Sequence, residues 1–96
     1  RQRDVLRISA WFRALPPARL MAYGYYGPTS YGVRYAFRSG IYLSMAVYSR
    51  LELLPEDIEF ELGELPWYLE RRIYGNTVLV IDTRTRMVVD VYEIDY

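Results

Sequence analysis

The sequence contains no cysteine, no histidine and no lysine, so all twelve of its basic residues are arginines. Without cysteine the chain has no disulfide, no thiol nucleophile and no thiolate ligand for a metal. Without histidine it lacks the most common general base and the usual ligand of zinc, nickel and copper. Without lysine it cannot form a Schiff base. These absences favour a protein that is not an enzyme and holds no cofactor or metal.

The sequence also lacks a long apolar run. No stretch reaches the roughly 18 apolar residues that a membrane-spanning helix needs. The 96 residues are 52% hydrophobic and 25% charged, which is typical of a globular protein. A chain of this length predicts a single domain, residues 1–96, with a small core.

Acidic residues are scarce in the first half of the chain, and basic residues are scarce in the second half. Residues 1–50 contain eight arginines and one acid, a net charge of +7, whereas residues 51–96 contain four arginines and eleven acids, a net charge of −7. The total is zero. Such a division predicts attraction between the halves, either within one molecule or between two.

Residues 4–15 predict an amphipathic helix, because apolar side chains recur at spacings of three and four. Asp4 is a residue type that caps helix N-termini, and Pro16 ends the helix because a residue before proline resists the helical region. The predicted apolar face consists of Leu6 or Val5, Ile8, Trp11, Phe12 and Leu15.

Residues 33–48 predict a β-hairpin around the two-residue loop Ser39-Gly40. The first arm alternates apolar residues with Arg34 and Arg38. Residues 41–52 also fit helical spacing, so a helix stays open there as the alternative to the favoured strand. A further strand is predicted at 58–62, where Ile58, Phe60 and Leu62 alternate with glutamates.

The last third of the chain predicts a three-stranded antiparallel meander, with strands at 68–74, 77–82 and 87–94. Gly75-Asn76 suits the first turn, because both residues adopt positive φ at little cost. The fold class is therefore α+β: an N-terminal amphipathic helix packed on an antiparallel sheet of five to six strands that ends in this meander.

The register of the second turn decides which side chains share a face. A three-residue loop would need a left-handed residue, normally glycine, near position 85 or 86. The chain has Thr85 and Arg86 there, so we predict a four-residue loop, with Asp82 opposite Met87. One face then carries Ile73, Val78, Val80, Val89 and Val91, and the other carries Leu79, Ile81, Val88, Asp90 and Tyr92.

The central strand is apolar on both faces at residues 78–81. We expect the helix 4–15 to cover one face. The hairpin 33–48 or a second copy of the chain would cover the other, because soluble monomers rarely expose an apolar patch of that size.

A tyrosine-rich and arginine-containing stretch lies between residues 23 and 38. Stacked rings beside guanidinium groups suit sugars or nucleobases. The alternative function is therefore a binding module for a glycan or for single-stranded nucleic acid, through Tyr25, Tyr26, Tyr31, Arg34 and Arg38, next to Tyr35. Nucleic acid is the less favoured ligand because the acidic half repels phosphate. The same rings could simply cover a small sheet.

Six acids cluster in the sequence at Glu52, Glu56, Asp57, Glu59, Glu61 and Glu64. They allow a site for a hard cation, a carboxylate pair for glycoside hydrolysis, or a solvated face. If strand 58–62 paired with the hairpin, Glu59 and Glu61 would meet Arg34 and Arg38 across the ladder.

The C-terminal quarter combines Leu65-Pro66, the turn Gly75-Asn76, the apolar run Val78 to Ile81, Thr85, and Val88 to Val91 with Asp90. This pattern resembles the C-terminal segment of small periplasmic proteins related to the nickel/cobalt homeostasis family. The resemblance implies a place in the bacterial envelope, periplasmic or secreted, although the lack of cysteine is also compatible with the cytoplasm.

These observations predict a small, non-catalytic, envelope-associated protein that acts through protein contacts, with self-association as the expected mode. Its partner would be itself or another envelope protein. The predicted interface residues are Tyr35, Phe37, Leu79, Ile81 and Tyr92.

Overall fold

A computed structural model of the chain describes residues 2–16 and 37–94. Within these ranges the first element is helix α1, Gln2–Arg13. Its existence is confirmed, and its bounds lie two residues earlier than predicted. Ile8 and Phe12 are fully buried, with Val5 partly buried beside them. Leu6 points the other way and is exposed, so Val5 rather than Leu6 belongs to the apolar face.

The described strands are β1 (Glu52–Leu53), β2 (Leu69–Tyr74), β3 (Thr77–Asp82) and β4 (Met87–Glu93). They form one antiparallel sheet in the order β1-β2-β3-β4. The predicted meander is confirmed as β2-β3-β4. The sheet has four strands instead of the five to six predicted.

Two predicted strands are helical or irregular in the described part of the chain, and the first arm of the predicted hairpin lies mostly outside that part. In 41–48, Tyr42 makes only an isolated bridge to Met87, and Met45–Tyr48 forms the short helix α2, capped by the Ser44 hydroxyl. The helical alternative is therefore correct for these four residues. In 58–62 the structure has helix α3, Glu56–Glu61.

Helix α3 forms because the sequence before it fixes its start. Pro55 has a φ of −57°, which is close to helical, and lacks an N–H that would need a partner. Three acids occupy the first turn, where negative charge stabilises the helix. The buried residues Leu54, Ile58 and Leu62 are spaced by four and lie on its inner side.

Both turns of the meander have the predicted length. Tyr74 pairs with Thr77 across Gly75-Asn76, and Asp82 pairs with Met87 across the loop 83–86. The four-residue loop nevertheless contains a left-handed residue, because Arg86 has a φ of +63° although it is not glycine. Its N–H donates to the Asp82 carbonyl at 2.7 Å, and that bond holds the left-handed residue in place.

A β-bulge exchanges the faces of the second half of β4. Val80 pairs with Asp90 but Ile81 pairs with Val88, so Val89 is an extra residue in β4. Up to Val88 the predicted faces are correct. Beyond the bulge, Tyr92 joins the cluster beneath α1, and Val91 packs against the other cluster. The prediction for these two residues was wrong by one position of register.

Strand β3 is covered on both faces, as the sequence predicted. On one face Val78 and Val80 pack with residues of α1 and α3, including Ile8, Phe12 and Ile58. On the other face, the cluster consists of Leu43, Leu51, Leu79, Ile81 and Val88, with Phe37, Ile41, Val47 and Tyr48 against it. The second cover is thus residues 37–51 of the same chain. Every helix in the described part is too short and too polar to cross a membrane.

Candidate protein-binding groove

Three of the five predicted interface residues lie inside the molecule. Leu79 and Ile81 are fully buried beneath residues 37–51, and Tyr92 is buried beneath α1. Phe37 is half-buried with its ring edge-on to Tyr74 at 6.2 Å. Tyr35 lies outside the described residues. The apolar faces of β3 therefore serve the core in this structure.

The predicted ligand-binding residues are mostly outside the described ranges, namely Tyr25, Tyr26, Tyr31 and Arg34. Arg38 is described and exposed, and precedes the turn at Ser39-Gly40. Whether these residues share a surface therefore stays a prediction from the sequence.

The acids of residues 52–64 are all described, and they lie on β1, on α3 and in the turn after it. Glu59 and Glu61 belong to a helix, so the predicted cross-strand pairing with Arg34 and Arg38 is wrong. No group of three acids in the described part of the chain is arranged to hold a metal ion.

An open groove of about 710 Å³ lies between α3, residues 62–67 and strand β2. We call it the aromatic groove. The lining residues that matter most are Leu53, Glu56, Phe60, Glu64, Trp67 and Arg71. Its walls combine large apolar side chains with carboxylates.

The large side chains of the groove are unusually exposed. Phe60 is 93% exposed, Trp67 81% and Leu53 55%. The predicted strand would put Phe60 on the same face as Ile58 and Leu62. Because residues 56–61 turn as a helix, Ile58 and Leu62 face the core and Phe60 faces solvent. Clustered exposed apolar side chains of this size mark interaction surfaces more often than scattered ones do.

The floor of the groove contains the buried guanidinium of Arg71, which is 4% exposed. Its Nη1 donates to Glu59 Oε1 at 2.6 Å, and its Nη2 donates to the Gly63 carbonyl at 2.8 Å. The Asp4 carboxylate lies 3.5 Å from Nη2. Arg71 therefore ties β2 to α3 and to α1, and fixes the groove floor.

Two buried polar atoms near this ion pair have no hydrogen-bond partner: Arg71 Nε and the hydroxyl of Tyr92. Burial raises the pKa of Tyr92 to about 12, and the Asp4 carboxylate adds to the shift. The nearby Arg71 charge opposes it without changing the direction.

Beside the groove residue Trp67, a guanidinium of the same chain is already stacked on aromatic rings. The Arg84 Cζ atom lies 4.3 Å from the ring centroid of Tyr68 and 5.8 Å from that of Trp67. Asp82 accepts from Arg84 Nη2 at 2.9 Å, and these hydrogen bonds lower the pKa of Asp82. The aromatic side chains here thus present a surface on which arginine stacks.

A second polar cluster fastens residues 45–51 to the sheet through Glu70, which also lines the groove. Glu70 accepts from the Tyr48 hydroxyl and from Arg72 Nε, and Arg72 Nη1 donates to the Leu51 carbonyl at 3.1 Å. Burial raises the pKa of Tyr48, and its hydrogen bond to Glu70 adds to this shift. We interpret this cluster as the attachment of the second cover.

The groove was missed because a five-residue alternation was assigned to a strand. The signals that could have found it are Pro55 before three acids, and the four-residue spacing of Leu54, Ile58 and Leu62. Read as a helix, the same segment directs Phe60 outward.

Comparison of the chain with protein-family models, with curated proteins and with solved structures gave no match.

Proposed function

We propose that this protein is non-catalytic and acts through protein contacts, by self-association, and that the aromatic groove is its contact surface. The observation that carries the proposal is the high exposure of Phe60 and Trp67, two large aromatic side chains that line the same groove. Aromatic side chains are the residues that most often dominate binding energy at protein interfaces. This surface replaces the predicted one, because Leu79, Ile81 and Tyr92 of that set are buried.

The carboxylates around the groove determine the kind of protein surface that fits it. Glu56 and Glu64 are exposed at its rim, and the whole half of the chain that builds it has a net charge of −7. A complementary partner surface is basic with an apolar centre. The first fifty residues of another copy have a net charge of +7.

The groove supports binding better than hydrolysis. Two of the carboxylates that line it are already bonded within the chain: Glu59 is ion-paired with Arg71, and Glu70 is bonded to Arg72 and Tyr48. A carboxylate held in this way is not free to approach a substrate as a catalytic group. The glycan or nucleic-acid alternative rests on residues outside the described ranges and stays a prediction.

The proposal keeps the bacterial envelope as the compartment, with the protein periplasmic or secreted. Its support is the resemblance of residues 65–91 to small periplasmic proteins. Fractionation of cells that express the natural gene tests this: recovery with periplasmic markers is expected, and recovery with cytoplasmic markers alone would contradict it.

Sedimentation velocity over a concentration series tests self-association. We expect a dimer or larger species to form by ~100 µM, the range of a weak specific interface. Phe60→Ala and Trp67→Ala should each return the chain toward monomer, while Tyr42→Ala, at an exposed residue on the other side of the sheet, should not. Added salt should weaken association, because exposed charges are screened. A wild-type monomer throughout, or equal effects of all three variants, would contradict the proposal.

A further inference from the structure

We propose that the occupant of the aromatic groove is the outer face of helix α1 from a second copy of the chain. This inference rests on the proposed self-association and adds the identity of the partner surface. It requires three things of α1: a basic face, an exposed apolar centre, and a position that lets two copies pair reciprocally.

The outer face of α1 carries the chemistry that the groove lacks. Leu6 is 62% exposed, and Arg3, Arg7, Ala10 and Arg13 are exposed around it. Their spacing of three and four places them on one side of the helix. Ile8 and Phe12 on the opposite side are fully buried in the chain's own core. The helix is therefore held with this basic face directed outward.

The two surfaces match in composition. Leu6 of one copy provides the apolar side chain that would cover Phe60 and Trp67 of the other. Helices commonly bind in this way, with an apolar side chain inserted in a groove. Of the arginines beside Leu6, Arg3 would meet Glu64 at the rim. Arginine is the basic residue best suited to this place, since it bonds carboxylates and stacks on aromatic rings.

The molecule itself shows that guanidinium groups stack at this surface. Arg84 lies over the Tyr68 ring at 4.3 Å while it is bonded to Asp82. An arginine of the partner's α1 would make the same combination of contacts, with a ring beneath it and a carboxylate beside it. The chemistry of the groove beside Arg84 therefore suits an arginine side chain.

Helix α1 and the groove are neighbours in one molecule, which permits a closed dimer. Arg7 Nη1 donates to the Glu61 carbonyl at the end of α3, at 2.6 Å. Asp4 lies 3.5 Å from Arg71 Nη2 at the groove floor. The outer face of α1 and the groove therefore adjoin on one molecule. A two-fold rotation can then place the α1 helix of each copy in the groove of the other, which makes two identical contacts and closes the dimer.

Engineered cysteines test the arrangement, because the natural chain has none to interfere. Full-length Ala10→Cys is mixed with full-length Glu56→Cys, which leaves Leu6, Phe60 and Trp67 in place, and disulfide formation under mild oxidation is measured on non-reducing gels. The control pair is Met45→Cys with Glu56→Cys, since Met45 is also exposed but belongs to the segment that covers the other face of the sheet. We expect at least a tenfold greater yield of heterodimer from the first pair.

A charge exchange provides the second measurement. Arg3→Glu and Glu64→Arg should each raise the dissociation constant of the dimer, about tenfold or more for a charge pair between two surfaces. The double variant Arg3→Glu/Glu64→Arg should recover most of the lost affinity, since it reverses both sides of each contact. Arg50→Glu, an exposed arginine beside α2, is the control and should have little effect.

The outcomes separate this inference from the proposed function. If Phe60→Ala returns the chain to monomer but the two cysteine pairs cross-link equally and the charge exchange gives no recovery, α1 is not the occupant, and self-association through the groove stands. If Phe60→Ala leaves association unchanged, the proposed function itself is wrong.

Discussion

Leu79 and Val80 follow one another on β3 and belong to different hydrophobic clusters, one on each face of the sheet. Leu79 packs beneath residues 37–51, and Val80 packs beneath the two longer helices α1 and α3. Side chains alternate across a strand, so a two-sided core needs apolar residues at consecutive positions. The tetrad Val78 to Ile81 is the sequence that meets this need.

If the second cluster is a genuine core, Leu79→Ala should lower the free energy of unfolding by ~2–5 kcal/mol, the usual cost of such a truncation in a packed interior. The measurement is urea denaturation at equilibrium. Val89→Ala, at the exposed bulge residue, is the control and should cost less than ~1 kcal/mol. A similarly small loss for Leu79→Ala would mean that residues 37–51 do not cover this face closely.

Glu59→Gln should destabilise the protein, because it removes the charge opposite the buried Arg71 guanidinium at 2.6 Å. We expect a loss of ~1–3 kcal/mol, the range for a hydrogen bond to a charged group. Glu56→Gln, three residues earlier on α3 and exposed, should change the free energy of unfolding by less than ~0.5 kcal/mol. Equal effects of the two substitutions would show that the Arg71 pair contributes no more than a surface charge.

Tyr92→Phe should change how stability depends on alkaline pH. The pKa of Tyr92 is raised from 10.0 to about 12 in the folded chain, so folding favours the protonated hydroxyl. That stabilisation is complete below pH 10 and is lost as the pH rises through about 12, a change of ~2–3 kcal/mol. Urea denaturation across this pH window should show that the free energy of unfolding falls less for Tyr92→Phe than for wild type.

The control for that experiment is Tyr42→Phe, which changes an exposed tyrosine. Its free energy of unfolding should fall with pH as steeply as that of wild type. At neutral pH, Tyr92→Phe should cost little, since no group in the described part of the chain is placed to hydrogen-bond the buried hydroxyl. A large loss at neutral pH would show that the hydroxyl is hydrogen-bonded in solution.

Asp82→Asn should alter stability in acid. Hydrogen bonds from Arg84 hold the pKa of Asp82 below its ordinary value of 3.8. The ionised carboxylate therefore stabilises the folded chain above pH 3.8, and this contribution is lost as the pH falls through the lower, folded-state value. The urea midpoint should fall less between neutral pH and strong acid for Asp82→Asn than for wild type. An identical acid decline would show that the Asp82–Arg84 pair does not favour the folded state.

The sequence predicted the meander β2-β3-β4 correctly, because its two turns are marked by residues within the turns themselves. Gly75-Asn76 and Asp82 mark the two turns of the meander, so strand positions and the Asp82–Met87 register followed from neighbouring residues. The bulge at Val89 could not be predicted in this way, because an ordinary apolar residue occupies it. One extra residue there was enough to place Tyr92 on the opposite face.

The candidate site was harder to predict, because it depends on whether one short segment, residues 58–62, forms a helix or a strand. Ile58, Phe60 and Leu62 alternate as a strand would, and the same residues fit one and a half turns of helix. The choice moves Phe60 from the core to the surface. Sequence patterning also could not show that residues 37–51 fold back over Leu79, since that contact is long-range.

Amide chemical shifts recorded over a dilution series test the central claim most directly, because they report which residues meet another copy. We predict that concentration-dependent shifts cluster at residues 53–67, around the aromatic groove, with a second group in the outer face of α1. Shifts that cluster at residues 42–50 on the other side of the sheet would contradict the account, as would shifts that do not change with concentration.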